Sequence, residues 1–416
     1  GRTPADPDPV LGRVGGRNRG QPRHRHPAPP PGTTSPALAP GELGLVRAYV
    51  NGDLDVDGDI VAALDLPDVI ARVAHHQRIG LTGRQRLRAV ATARRLGALG
   101  PPPRRPAEEI RRRRGALHSR ARDAVSVSHH YDVGNDFYRL VLGPSLVYSC
   151  AYWTRPPSPS YALEDAQRDK LDLICTKLGL RPGMRLLDVG CGWGSLAIHA
   201  AARYGVDVVG VTVSQEQAAL ARRRVAQEGL TDRVDIRLQD YREVTDGPYQ
   251  AISSVGMFEH VGRSRTAVYA QALMSLLVPG GRLLNHAIAS VRSVPASNSM
   301  NRSGFLDRYI FPDGQVLPLS TTLDALEHAG FEVRDVEALR EHYGLTLRAW
   351  ADNVRDHWDA ALGQVPASRA RTWLLFLAAS ALAFEHGNLT VHQVLAVRQT
   401  DRAGSGIPRT RREWMC

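Results

Sequence analysis

Between residues 186 and 288 short apolar runs alternate with stretches of helical period. Leu186–Val189, Asp207–Val211, Val234–Leu238, Ala251–Val255 and Arg282–Ile288 each read as a short buried strand. Helical spacing opens at Leu196, runs from Gln215 to Glu228, and returns from Thr266 to Leu277, where Pro279-Gly280-Gly281 is expected to stop it. Strands alternating with helices predict an α/β fold in which helices cover both faces of a mostly parallel sheet. Ligands of such sheets sit outside the carboxyl ends of the strands.

The first of these strands breaks at Leu186-Leu187-Asp188-Val189-Gly190-Cys191-Gly192-Trp193-Gly194-Ser195. An acidic residue followed by three alternate glycines brings backbone N–H groups close to a ligand at a helix start. The spacing is neither the dinucleotide fingerprint nor a P-loop, because no Gly-Lys-Ser/Thr follows. It resembles the nucleotide loop of S-adenosylmethionine (SAM) dependent methyltransferases. The bland alternative is a turn whose glycines serve helix–strand packing only.

Composition narrows the setting. A chain of 416 residues is too long for a single small core. No apolar run is long enough to span a bilayer, and the first residues lack the apolar stretch of a secretory signal. Cys150, Cys175, Cys191 and Cys416 are too scattered for a disulfide frame or a zinc site, as expected of a cytoplasmic protein with reduced thiols. The formal net charge of +11 favours an anionic partner, either a membrane surface or nucleic acid.

The Pro-, Arg- and Gly-rich residues 1–40 read as a disordered segment, and residues 41–100 as a small, mainly helical N-terminal domain. Residues 101–124, with Arg111-Arg112-Arg113-Arg114, read as a basic linker: a solvated spacer, or a patch attracted to anionic lipid. The helical pattern Gln85–Leu99 carries Arg94 among its apolar positions, which weakens it as a membrane-lying helix. Asp53-Leu54-Asp55-Val56-Asp57-Gly58-Asp59-Ile60 matches the start of a calcium loop, but Leu64 stands where a bidentate Glu is required, and Gly41–Asn51 makes a poor incoming helix. A loop with Asx-type turns is the expectation there, and no metal site is expected anywhere.

The remaining motifs narrow the reading further. His129-His130-Tyr131-Asp132-Val133-Gly134-Asn135-Asp136-Phe137-Tyr138 and Tyr148-Ser149-Cys150-Ala151-Tyr152-Trp153 precede the glycine loop. Gly210-Val211-Thr212-Val213-Ser214-Gln215-Glu216-Gln217, Gln239-Asp240-Tyr241-Arg242 and Ser254-Val255-Gly256-Met257-Phe258-Glu259-His260-Val261-Gly262 follow it, with Tyr309-Ile310-Phe311-Pro312-Asp313-Gly314 and His342-Tyr343 last. From about Gly41 to Arg409 the chain resembles the cyclopropane-fatty-acyl-phospholipid synthases, a family that includes mycolic acid cyclopropane synthases and enzymes of tuberculostearic-type fatty acids. Two departures stand out: residues 1–40 lack the apolar, strand-forming start usual in members with an N-terminal domain, and Asn285 replaces an expected apolar residue.

The resemblance implies a class I SAM-dependent methyltransferase, Rossmann-like with a seven-stranded, mostly parallel sheet, over residues 125–410, and a lipid-facing lid around 293–315. Phe305, Leu306, Tyr309, Ile310 and Phe311 then either line an acyl channel or pack the lid onto the core. The reaction implied is transfer of a methyl(ene) carbon to the cis double bond of an unsaturated phospholipid acyl chain, giving a cyclopropane. The alternative is a 10-methylene or methyl-branched chain, made with a flavin- or nicotinamide-dependent reductase as partner. Alkene attack on a sulfonium methyl leaves a carbocation, so such a site must exclude water and hold a base to take a proton.

In the family that base is a bound bicarbonate, held by residues that fall here on Cys150, Glu259, His286, Tyr343 and the backbone of Ile288. Each has a structural alternative: a small buried Cys, a helix-capping Glu, a satisfied core His, a packing Tyr just before a helix. His260 is expected to be structural. For SAM the resemblance implies Gly190, Gly192 and Gly194, beside Asp188, at the amino-acid and ribose part, and Thr212 and Gln217 at the ribose. It implies Asp240 and Tyr241 near the adenine, and Tyr148 and Ser149 at the methionine end. The implied location is cytoplasmic, peripheral to the inner face of an anionic membrane. A nucleic-acid methyltransferase would suit the charge, but Ser254-Val255-Gly256-Met257-Phe258-Glu259 replaces the Asn/Asp-Pro-Pro-Tyr/Phe amine-methylation motif, so no nucleic-acid partner is expected. A non-catalytic lipid- or SAM-binding protein is a third reading, opposed by the intact Cys150, Glu259, His286 and Tyr343.

Overall fold

The computed structural model describes residues 42–66, 82–95, 103–110, 134–291, 304–311 and 314–411. Seven strands form one sheet: β1 (Arg185–Val189), β2 (Asp207–Thr212), β3 (Val234–Leu238), β4 (Tyr249–Val255), β5 (Leu277–Ser290), β6 (Phe331–Ala338) and β7 (Leu389–Arg398). Their order is β3-β2-β1-β4-β5-β7-β6. β3 to β5 pair in parallel, and β7 alone runs antiparallel to both its neighbours. The α/β class and the mostly parallel sheet of the sequence reading are therefore present.

Helices α1 (Glu42–Asn51), α2 (Gly83–Arg95), α3 (Asn135–Leu142), α4 (Leu163–Leu178), α5 (Ser195–Tyr204), α6 (Gln215–Gln227), α7 (Phe258–Val261), α8 (Thr266–Leu276), α9 (Phe305–Tyr309), α10 (Leu319–His328), α11 (Arg340–Asp356), α12 (Trp358–Gln364) and α13 (Ala367–Glu385) accompany it. One apolar cluster packs around β1 with α4, α5 and α6 (Leu186, Ile174, Ala197, Ala218). A second (Leu187, Ile252, Tyr269, Leu283, Leu326) gathers residues of α8 and α10. The third joins α3, α11 and α13 to Cys150, Tyr343 and the α9 residues Phe305 and Tyr309.

Several expectations are corrected. Where a poor helix was expected, Glu42–Asn51 forms one: Val46, Tyr49 and Val50 of α1 are buried in the same cluster as α13, so tertiary packing sets it. Val46, Ile60 and Val61 belong to that cluster too, so the described start of the expected N-terminal domain shares the main core. In the acidic loop that follows, Arg371 donates to Asp55 Oδ1 at 3.2 Å, and Asp59 Oδ1 accepts from the Val61 N–H at 2.8 Å. β5 begins at Leu277, so Pro279-Gly280-Gly281 lies inside a strand, where its register against β4 shifts. Tyr343 lies within α11, not ahead of it.

Part of the expected linker is docked. Glu109 accepts from Arg47 Nε (2.8 Å) and Arg308 Nη1 (2.8 Å), and Glu108 from Ser368 Oγ (2.5 Å). Burial acts to raise the Glu109 pKa, but its two guanidinium partners hold it down at about 2. The segment thus ties α1, α9 and α13 together. Residues 1–40, the four-arginine run and residues 293–303 lie outside the described residues. Leu87 and Val90 of α2 are 72% and 57% exposed. Among the described residues no helix is long and apolar enough to cross a membrane.

Candidate active site

A cavity opens at the carboxyl ends of four parallel strands, where the loops after β1, β2, β3 and β4 converge. Of the residues expected at a cofactor, Tyr148, Ser149, Asp188, Gly190, Gly192, Thr212, Gln217, Asp240 and Tyr241 line it. Gly194 does not: it caps α5, and a Cβ there would meet Ala221 at 3.2 Å, so it serves close helix packing. Gly192 has φ +56°, and a Cβ built on it would meet no protein atom within 4 Å. Its missing side chain opens room in the cavity, with backbone in a conformation that suits glycine.

The walls are braced locally. Asp188 at the end of β1 is buried, and Ser253 on β4 donates to its Oδ1 at 2.8 Å. Burial pushes the Asp188 pKa up to about 6, against that hydrogen bond. Thr212 Oγ1 donates to Gln217 Oε1 at 2.8 Å, fixing the amide at the start of α6, whose N-cap is Ser214. Asp240 Oδ1 accepts the Arg242 N–H (2.9 Å) and closes a short turn. The Tyr241 ring packs edge-on against Tyr269 at 5.6 Å.

A second group lies just beyond this cavity. Cys150 follows Ser149 directly, and Val255, which lines the cavity, pairs with His286 across β4 and β5. His286 and Ile288 are two apart on β5 and so share a face. The Ile288 N–H donates to Glu259 Oε1 at 2.7 Å. Ile288 pairs with Val391 on β7, and the Val391 carbonyl accepts the Leu339 N–H at 2.9 Å. The Leu339 carbonyl in turn accepts from the Cys150 thiol (3.6 Å) and the Tyr343 N–H (3.1 Å). Cys150, Glu259, His286, Ile288 and Tyr343 are thus linked through one short set of contacts.

Two polar atoms of this group have no partner among the described residues: Glu259 Oε2 and His286 Nε2, both shut off from solvent. Burial pushes the Glu259 carboxyl up to about 7, opposed by the Ile288 N–H. Burial, with the nearby Lys170 and Lys177, pushes His286 down to about 3, so its ring is neutral. The Gln393 amide nitrogen faces His286 Nδ1 at 3.3 Å; with the amide in this orientation Nδ1 accepts and the ring proton sits on Nε2. The Cys150 thiol is fully buried and its pKa is raised by burial.

The model of the family described as mycolic acid cyclopropane synthetase matches residues 118–394. The chain belongs to this family. A probable fatty acid methyltransferase of Mycobacterium tuberculosis (strain H37Rv) is 42% identical over 386 residues, 91% of this chain and 88% of the relative. The cyclopropane-fatty-acyl-phospholipid synthase of Escherichia coli K12 is 38% identical over 282 residues, 68% of this chain and 70% of that one. A solved mycolic acid cyclopropane synthase, complexed with SAH and CTAB, matches with a TM-score of 0.62 at 33% identity, over 66% of this chain and 97% of its own. Like its family, this protein is a SAM-dependent methyltransferase.

The strand-end cavity fits that cofactor by its own features: a glycine floor that a Cβ would fill at Gly192, and polar groups spaced along one wall. The chemistry of the second group would suit a small oxyanion such as the bicarbonate that the sequence resemblance implies. A carboxyl that is half protonated near neutrality and an imidazole Nε2–H are both donors to a small oxyanion. The Ile288 N–H, expected to hold that anion, is occupied by Glu259. Sequence reasoning missed Lys170 of α4, which lines the cavity although it sits at helical spacing among Leu171 and Ile174. His260, expected to be structural, also lines the cavity. Asn285 is buried, with Oδ1 2.9 Å from the Tyr269 hydroxyl, which also meets Ser254 Oγ at 2.6 Å.

Proposed function

We propose that this methyltransferase of lipid acyl chains acts on the cis double bond of an unsaturated chain in a phospholipid and closes a cyclopropane ring. The observation that carries the reading is the buried pair of partnerless polar atoms, Glu259 Oε2 and His286 Nε2, set in an apolar wall next to the cofactor cavity. An amine- or nucleic-acid-directed enzyme has no need of such a dry, polar-tipped wall. An enzyme that must protect a carbocation from water does.

In this reading the loops after β1 to β4 hold SAM, which supplies an electrophilic methyl. Thr212 and Gln217 would meet the ribose, Asp240 and Tyr241 the adenine, and Tyr148 and Ser149 the methionine end. Cys150, Glu259, His286 and Tyr343 would hold the bicarbonate, which would supply the base, while the Ile288 N–H, bonded to Glu259, would act by fixing that carboxyl. Glu259, poised near 7, and neutral His286 present Oε2 and Nε2, both without a partner among the described residues, as the groups that would bond that anion. Phe305, Tyr309 and Ile310 are buried in one apolar cluster with Cys150 and Tyr343, so α9 packs onto the core beside these residues and shields them from water.

The lipid is presented by an anionic membrane surface. The net charge of +11, and the exposed Leu87 and Val90 beside the exposed Arg84 and Arg88 of α2, support peripheral docking. The test is expression in cells that lack their own synthase and are fed oleate, followed by proton NMR and mass spectrometry of the phospholipid acyl chains. Ring protons on the added carbon are expected. An exocyclic methylene would instead establish the branched-chain reaction and call for a reductase partner. Unmodified acyl chains would overturn the proposal.

A further inference from the structure

Helix α4 carries two buried lysines, and their surroundings differ. Lys177 is paired: its Nζ lies 3.4 Å from Asp335 Oδ2 and also contacts Glu337. Lys170 is only 2% exposed, lines the cofactor cavity, and has no carboxylate within ion-pair distance among the described residues. Its Nζ donates to Ser149 Oγ at 2.9 Å. One turn earlier, Gln167 Nε2 donates to the Ser149 carbonyl at 3.0 Å, so α4 grips the Tyr148–Ser149 segment from behind.

A buried cation is costly unless an anion meets it. Asp188 supplies some attraction but is no ion-pair partner, and it has its own hydrogen bond from Ser253. The other cations lining the cavity are differently disposed: Arg242 is committed to Asp240 (2.5 Å), and Arg265 is exposed. SAM and SAH carry one anionic group, the carboxylate of the amino-acid end. In the proposed cofactor placement, Ser149 would meet that end of SAM, and an ammonium hydrogen-bonded to Ser149 complements the carboxylate.

We propose that Lys170, presented by Ser149, receives the carboxylate of the cofactor's methionine moiety and is a cofactor-selecting residue of this enzyme. The inference rests on the cavity being the SAM site. Burial holds the Lys170 pKa down at about 8 without ligand, so its charge is lost in mildly alkaline solution. The groups around it leave that titration distinct. Cys150 and, on α4, Cys175 have thiol pKa values raised by burial; Asp188 on β1 titrates near 6; His286 on β5 and His199 on α5 have lowered pKa values.

The test is calorimetric binding of two ligands to the full-length protein: SAH, and its decarboxylated analogue S-adenosyl-3-thiopropylamine. Lys170→Met is expected to weaken SAH by about tenfold or more, roughly the worth of one charge-assisted contact, and the analogue by less than about twofold. In the wild-type protein SAH affinity is expected to fall as pH rises past about 8, and the analogue's to fall less, which keeps the test decisive if Lys170→Met does not fold. Equal losses for both ligands, or the same pH dependence for both, would overturn the role of Lys170. Absence of SAH binding by the wild-type protein would instead overturn the cofactor-site assignment itself.

Discussion

Replacing Glu259 with Gln keeps the side chain's shape and the acceptor for the Ile288 N–H, and removes the charge. The structure sets the size of the effect. The carboxyl's pKa is raised from 4.5 to about 7 because burial disfavours the anion. A raised acid pKa means that ionisation is harder in the folded than in the unfolded chain. The penalty is absent below about 4.5, grows as pH rises, and is complete above about 7. At 1.36 kcal/mol per unit it reaches at most about 3 kcal/mol. Glu259→Gln should therefore match or fall below the wild type in stability near pH 4.5 and gain on it steadily to pH 7. Thermal denaturation of both proteins across that range measures it. In turnover the same variant should lose about tenfold or more, with SAM binding near wild type, because the lost group acts on the proton and not on the cofactor. A stability difference that is flat with pH would refute the buried-carboxyl argument, and full turnover would make Glu259 structural.

Gly192→Val puts a branched side chain into open cavity at a residue with φ +56°, so SAM affinity measured by calorimetry should be abolished in a folded protein. Glu109→Gln breaks the tie among Arg47, Arg308 and Tyr309; limited proteolysis should cut near α9 sooner, and stability should fall by about 1–3 kcal/mol. Binding to phosphatidylglycerol vesicles, followed by co-sedimentation, should weaken as salt rises while SAM affinity changes less, and neutralising Arg111 to Arg114 should lower it further.

What the sequence disclosed and what it hid divide along physical lines. The strands, the glycine loop and the cavity's strand-end position were legible because periodicity and glycine spacing are local properties of backbone geometry. Helix α1 was misjudged because its reason for being a helix is burial against α13, more than 300 residues away in sequence. The docked piece of the linker was hidden for the same cause: Glu108 meets Ser368 and Glu109 meets Arg308, contacts no local pattern announces. Asn285 made sense only beside Tyr269 of the neighbouring helix. Lys170 looked like an ordinary helix residue until the fold turned it inward with no carboxylate at ion-pair distance among the described residues. The second group of candidate residues was named through family resemblance, and only the structure revealed how Leu339 and Val391 link them.

In the proposed reaction one carbon passes from SAM to an acyl double bond and gives up a single proton on the way. The most direct measurement uses purified protein, SAM carrying a trideuterated methyl group, and vesicles of dioleoylphosphatidylglycerol, with mass spectrometry and NMR of the released acyl chains. One added carbon that retains two of the three deuterons, placed in a ring at the former double bond, is expected. Label on the head group, or an acyl chain that gains no carbon while SAM is bound, would contradict it.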